Sequence, residues 1–147
     1  MPDLDLVGTW KMVSWQWEDV ATGKRADVFG PDPIGYLSYG ADGRMIVLVV
    51  SRDRPNPAGA PSTDAEKTAL FDSMLSFAGR YRRESGKVVH ELDASWNQAW
   101  TGSRQERFFA FDGDLLEFSR PPAIDPHTGA TVVHRMAFRK MPPAHGE

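Results

Sequence analysis

The feature that most constrains this chain is its punctuation. Turn-forming pairs recur along it, Thr22-Gly23, Asp42-Gly43, Ser85-Gly86, Asp112-Gly113 and Thr128-Gly129, and most of the segments between them carry short runs rich in Val, Ile, Phe, Tyr and Trp. Asp-Gly between apolar runs marks a tight hairpin, because the turn demands positive φ. β-branched and aromatic residues suit a pleated, half-buried surface. The runs read as strands over residues 8–18, 34–39, 44–50, 79–84, 87–95, 102–111, 115–120 and 131–140. Sequential strands joined by hairpins predict an all-β fold, an eight-stranded up-and-down antiparallel β-barrel. Such a barrel has room inside for side chains or one small ligand. A two-sheet sandwich is the alternative.

One segment departs from this pattern. Thr63-Asp-Ala-Glu66 has the form of a capping box, and Leu70, Phe71, Met74 and Phe77 follow at helical spacing. These residues predict an α-helix over 64–77, inserted between the third and fourth strands. Its apolar stripe either packs on the barrel, gates one end of it, or does both.

At 147 residues the chain is the length of one domain. The domain is placed at 4–141, with a flexible tail over 142–147. The absence of cysteine excludes a disulfide framework and any thiolate chemistry. A net charge of -3 argues against nucleic acid as a partner. The start, MPDLDLVGTW, has acids where a signal peptide needs basic residues. The longest apolar stretch, Met45 to Val50, is far too short to span a membrane. A cytoplasmic protein with no membrane association is the expectation. Five Trp and eight Phe in so small a chain point to a large apolar interior, as core or as pocket.

Alternation assigns that interior. Val88, His90, Leu92 and Ala94 form the less charged face of their strand and should point inward. Arg104 and Glu106 mark a solvent face, which leaves Ser103, Gln105, Arg107, Phe109 and Phe111 inward; by the same logic Val132, His134, Met136 and Phe138 face in. Two-residue turns at Ser85-Gly86 and Asp112-Gly113, with Ser95 opposite Gly102, would set Tyr81, His90, Arg107 and Phe118 in one row across four strands. A bulge in any turn would break that row. Likewise, strict alternation puts Trp15 and Trp17 on the outer face, a patch suited to a homodimer, whereas a bulge near Ser14 turns them inward.

An inward Arg needs a partner, because burying an unpaired charge is costly. Arg107 either belongs to an internal structural pair or meets a ligand in an apolar cavity with a few convergent polar groups. Other motifs offer little. No Walker loop or dinucleotide fingerprint occurs, and GYLSYG is not a nucleophile elbow. His90, His127, His134 and His145 lack metal-ligand spacing. No metal or cofactor is expected. Arg80, Arg82 and Arg83 form the only basic cluster, either a solvated strand face or a site for an anionic partner.

Four segments carry a family resemblance: LVGTWKMVSW (Leu6 to Trp15) with its G-x-W, DPIGYLSYGADGRM (Asp32 to Met45), TDAEKTALFDSMLSFAGRY (Thr63 to Tyr81) and WTGSRQERF (Trp100 to Phe108). In this order they resemble the bacterial and fungal lipocalin-like domain family. The resemblance implies a calycin-type barrel with an internal cavity, an inserted helix and Trp10 plugging one end. It implies no reaction.

Two functions fit these residues. The first is binding of a small hydrophobic metabolite that carries a polar or acidic group. The candidate lining residues are Tyr39, Tyr81, His90, Trp100, Gln105, Arg107, Phe109, Phe118, His134, Met136 and Phe138. The second is a cofactor-independent isomerase, cyclase or hydro-lyase of a biosynthetic pathway. There His90 would be the acid or base, Arg107 the oxyanion stabiliser and Tyr81 the group that orients His90.

Overall fold

The computed structural model describes residues 5–126 and 128–145. Leu4, His127 and the last two residues of the expected tail lie outside the described residues. The element order is β1 (Gly8–Asp19), β2 (Arg25–Asp27), β3 (Ile34–Tyr39), β4 (Arg44–Val50), α1 (Asp64–Asp72), β5 (Met74–Glu84), β6 (Lys87–Ser95), a 3-10 turn (Gln98–Trp100), β7 (Arg104–Asp112), β8 (Leu115–Ser119), β9 (Ala123–Ile124) and β10 (Thr131–Lys140). Eight of the strands, β1-β3-β4-β5-β6-β7-β8-β10, pair antiparallel in a ring that β1–β10 pairing closes. This is the expected barrel. The short strands β2 and β9 pair onto β1 and β10 at its margin. No helix among the described residues is long and apolar enough to cross a membrane.

The capping box forms as the sequence predicts. Thr63 Oγ1 accepts from Glu66 N at 3.1 Å, and Thr63 N donates to Glu66 Oε1 at 2.8 Å. The helix differs in two respects. It lies between β4 and β5 instead of the third and fourth strands, because the three-residue β2 adds an element upstream. It also stops at Asp72, not at residue 77. Ladder pairing to β4 captures Met74–Ala78 in a strand: Val50 pairs with Met74, Val49 with Leu75 and Val47 with Phe77. Tertiary pairing there overrides a local helical pattern. No helix residue is buried.

Two bulges re-phase the barrel. In β1 the register shifts between Met12 and Ser14. Trp10 and Met12 therefore point inward ahead of the shift, and Trp15 points inward after it. Trp15 is buried, so the bulged alternative holds for it and the outer patch of Trp15 and Trp17 does not form. In β6 the residue opposite Gly79 is Leu92 and the one opposite Ala78 is Ala94, which leaves Asp93 as the extra residue. Gly79 allows this: a Cβ there would sit 1.9 Å from the Glu91 carbonyl oxygen. Beyond the bulge the faces swap, so Ala94 is exposed, against expectation.

The two ends of the barrel differ. One end carries the tight turns after β3, β5 and β7. Leu6, Trp10, Tyr39, Val88 and Leu116 fill the core. Trp10 Nε1 donates to the Leu6 carbonyl at 2.8 Å, and Lys140 Nζ lies 4.7 Å above the Trp10 ring. The other end carries the long segments 20–33, 51–73, 96–103 and 120–130, with α1 among them.

Candidate functional site

Inside the barrel is a cavity of about 300 Å³. Its wall is mostly apolar and aromatic: Met12, Trp15, Phe29, Leu37, Met45, Val47, Val49, Leu75, Phe77, Trp96, Trp100, Phe118, Met136 and Phe138. Against that wall stand three basic side chains, His90, Arg107 and Arg120, and no carboxylate. Small-molecule sites have this make-up, an apolar hollow with a few placed polar groups.

The expected residues separate into those on the cavity wall and those behind it. His90, Trp100, Arg107, Phe118, Met136 and Phe138 line the cavity. Tyr39 is buried behind His90, and its hydroxyl lies 2.7 Å from His90 Nε2. Tyr81 packs on Tyr39 with ring centroids 4.5 Å apart, but its hydroxyl donates to the Gly40 carbonyl. The hydroxyl that meets His90 is thus that of Tyr39, while that of Tyr81 is taken up by Gly40. Gln105 Oε1 accepts from Arg107 Nη2 at 3.0 Å. Phe109 stacks edge-on with Phe111, and the Arg83 guanidinium covers it at 5.1 Å. His134 stands at a second, more polar hollow of about 600 Å³ and accepts on Nδ1 from Trp15 Nε1 at 3.2 Å.

The row of four expected from turn register does not form. Tyr81 does pair with His90. His90, however, faces Gln105, and Phe118 faces Phe109. Both offsets are two residues. The turn after β7 is Gly113-Asp114, with Asp112 opposite Leu115 and Gly113 at φ 62° in the first central position. Glycine first is the II′ arrangement, which moves the turn one residue along. The β6–β7 ladder ends at Glu91 and Arg104, so residues between them form a longer loop than Ser95-to-Gly102 pairing allows. A slip of two preserves parity, so Arg107 still faces inward. The register now sets it opposite Val88, and one step past the last β7–β8 pair, Phe108 with Ser119, brings it opposite Arg120.

Arg120 escaped the sequence reading, although the signal was present. Leu116 and Phe118 alternate inward, and Arg120 is next in phase. Trp96 and Phe29 come from loops, where alternation carries no information. Phe77 was hidden by its helical spacing to Leu70 and Met74.

The electrostatics of the site follow from burial. Burial, reinforced by the Arg107 charge, pushes His90 down to about 3. Burial also lowers Arg107 to about 10, helped by the charge of Arg120 and opposed by Tyr39. Arg120 is lowered by burial, and Tyr39 is raised by it. His134 is pushed down to about 4 by burial, then by Arg120 and Arg107.

Two buried nitrogens of the lining residues have no partner among the described residues, His90 Nδ1 and Trp96 Nε1. Donation from the Tyr39 hydroxyl to His90 Nε2 leaves a single orphan on this pair, the Nδ1–H. The reverse tautomer leaves two, the Tyr39 hydrogen and the Nδ1 lone pair. The first therefore costs less. The polar groups of the wall are then donors throughout: Arg107, Arg120, the indole N–H and the imidazole N–H.

The basic cluster resolves as a solvated face. Arg80 Nη2 lies 3.4 Å from Glu91, Arg82 Nε lies 3.0 Å from Glu84, and Lys87 and Arg104 both pair with Glu106. Arg83 turns the other way, over Phe109 and Phe111.

The chain is similar in sequence and in structure to known proteins. A carrier protein for 4'-hydroxy-3'-methoxypropiophenone from Aspergillus oryzae is 28% identical over 90 residues, covering 54% of this chain and 78% of its own. The crystal structure of an uncharacterized protein from Bacteroides eggerthii is 14% identical with a TM-score of 0.45, and the match covers 93% of this chain and all of that one. The lipocalin-like domain family matches residues 7–141, the whole barrel, and the chain belongs to that family.

Proposed function

We propose that this protein binds and carries a small, largely apolar molecule inside the barrel, with oxygen acceptors on the molecule meeting the donors of the wall. The observation that carries this reading is the cavity of about 300 Å³, lined by aromatic and aliphatic side chains and supplied with polar groups that have no partner among the described residues. Buried donors left unpaired are costly, so a molecule that satisfies them binds with that cost relieved. The volume is at the small end of ligand pockets and suits a compact ring system. The Aspergillus oryzae relative is named for carrying an aryl ketone with hydroxyl and methoxy groups, a molecule of this character.

The alternative is acid–base catalysis of an isomerisation, cyclisation or elimination by His90. A histidine held down to about 3 is a weak base near neutral pH, which favours binding over turnover.

The test uses the five tryptophans, three of which line the cavity. Titration with 4'-hydroxy-3'-methoxypropiophenone should quench emission saturably, and His90→Gln should weaken that binding several-fold. Recovery of the compound unchanged after long incubation supports a carrier. Its conversion to an isomer that His90→Gln cannot form would replace the carrier reading with the enzyme.

A further inference from the structure

Arg107 and Arg120 face each other at the border between two hollows. Both line the apolar cavity, and both line the larger polar hollow outside it that His134, Trp17, Asp27, Glu106 and Asp125 share. Neither makes a salt bridge to a described carboxylate. Arg107 donates to two neutral acceptors, the Glu106 carbonyl and Gln105 Oε1. The guanidinium of Arg120 has no hydrogen bond or ion pair among the described residues. Two half-buried like charges repel, and burial strips part of the solvation of each, so the pair is unfavourable without an anion. The cavity wall offers the pair no relief, since the remaining unpartnered polar groups there, on His90 and Trp96, are donors; the nearby carboxylates, Asp27, Glu106 and Asp125, line the outer hollow and not the cavity.

On the reading that the cavity holds a ligand, we infer that Arg107 and Arg120 form a two-guanidinium site for the carboxylate of an amphipathic acid, whose apolar ring system lies in the barrel and whose anionic end lies at the border of the outer hollow. A planar carboxylate accepts from guanidinium groups in paired geometry and neutralises both. His90, which is 5% exposed and has no partner at Nδ1 among the described residues, then meets a second oxygen deeper in the molecule. Neutral ketones enter the same cavity but leave the two charges uncompensated.

The experiment compares 2-naphthoate with its neutral amide, 2-naphthamide, by quenching of tryptophan emission in the protein and in Arg120→Gln and Arg120→Lys. The acid should bind at least about tenfold more tightly than the amide to the protein. Arg120→Gln should weaken binding of the acid far more than that of the amide and so erase most of that preference, and Arg120→Lys should restore part of it. Because the Arg120 guanidinium makes no bond to the described residues, Arg120→Gln should also raise the Tm of the protein without ligand, an effect a merely structural arginine would not give. Equal affinity for acid and amide, or an acid preference that survives Arg120→Gln, would overturn the anion site and leave the cavity reading intact. Failure of both probes to bind at millimolar concentration would overturn the cavity reading and this inference together.

Discussion

The two ends of the barrel are built from the same strands and do opposite things. At the turn end, Leu6, Trp10, Tyr39, Val88 and Leu116 are each no more than 3% exposed, and the ring nitrogen of Trp10 has its partner. At the loop end, Trp96 and Trp100 face a hollow, and the Trp96 nitrogen has no partner among the described residues. Stability is concentrated where short turns let side chains interdigitate. On the proposed function, binding is concentrated where long segments hold the strands apart and polar groups lack partners among the described residues. Strained or unsatisfied groups cluster at functional sites because the rest of the structure can hold them there.

The sharpest way to break this contrast is to truncate a tryptophan at each end. Trp10→Ala should cost about 3–5 kcal/mol, read as a large drop in the urea midpoint, with ligand affinity of the folded fraction unchanged. Trp100→Ala should cost less than half of that and weaken ligand binding instead. Equal stability losses, or a loss of affinity in the Trp10 variant, would mean the ends are not separable.

Tyr39→Phe probes the seam between the ends. It leaves His90 Nε2 without its partner and should cost about 1–3 kcal/mol while the barrel stays closed by circular dichroism. A neutral effect would mean that the Tyr39–His90 bond contributes nothing net.

Acid should act through the loop half first. His90 and His134 have folded values of about 3 and about 4, both below the usual 6.5. The unfolded chain therefore binds more protons between these values and 6.5, so stability falls as pH drops through that window. Between pH 6.5 and 5, above the usual carboxylate range, the fall belongs to the histidines. His134→Gln should flatten part of the slope of urea midpoint against pH in that interval, and an unchanged slope would remove His134 from the account.

The smallest effect is expected on the outer face. Arg80 and Glu91 are exposed partners on a solvated lattice, and Arg80→Ala should leave Tm within the scatter of ordinary surface substitutions. A large change would show that the lattice supports the barrel wall.

Legibility in the sequence followed the same division. The strands between tight turns could be read because period-2 alternation and Gly-bearing turns are local signals, and the Tyr81–His90 pair followed from the two-residue turn at Ser85-Gly86. Faces survived errors in register when the error was even: Arg107 stayed inward after a slip of two. What stayed hidden depended on distant contacts. The capture of Met74–Ala78 by β4, the extra residue Asp93 and the loop-borne Phe29 and Trp96 are decided by pairing across the barrel, which no local window contains. Arg120 was in phase with Phe118, yet an Arg at a strand end reads as solvent-facing until its neighbours are known.

The bulges at Val13 and Asp93 have a consequence for how such a protein changes over generations. Each lies between the packed half and the hollow half of its strand. Loss of the single residue Val13 would rotate Trp15 and Trp17 to the opposite face while Trp10 and Met12 kept theirs. A one-codon deletion thus exchanges a block of cavity wall in one step, leaves the folding half untouched, and offers a lineage a new binding surface without the loss of its scaffold.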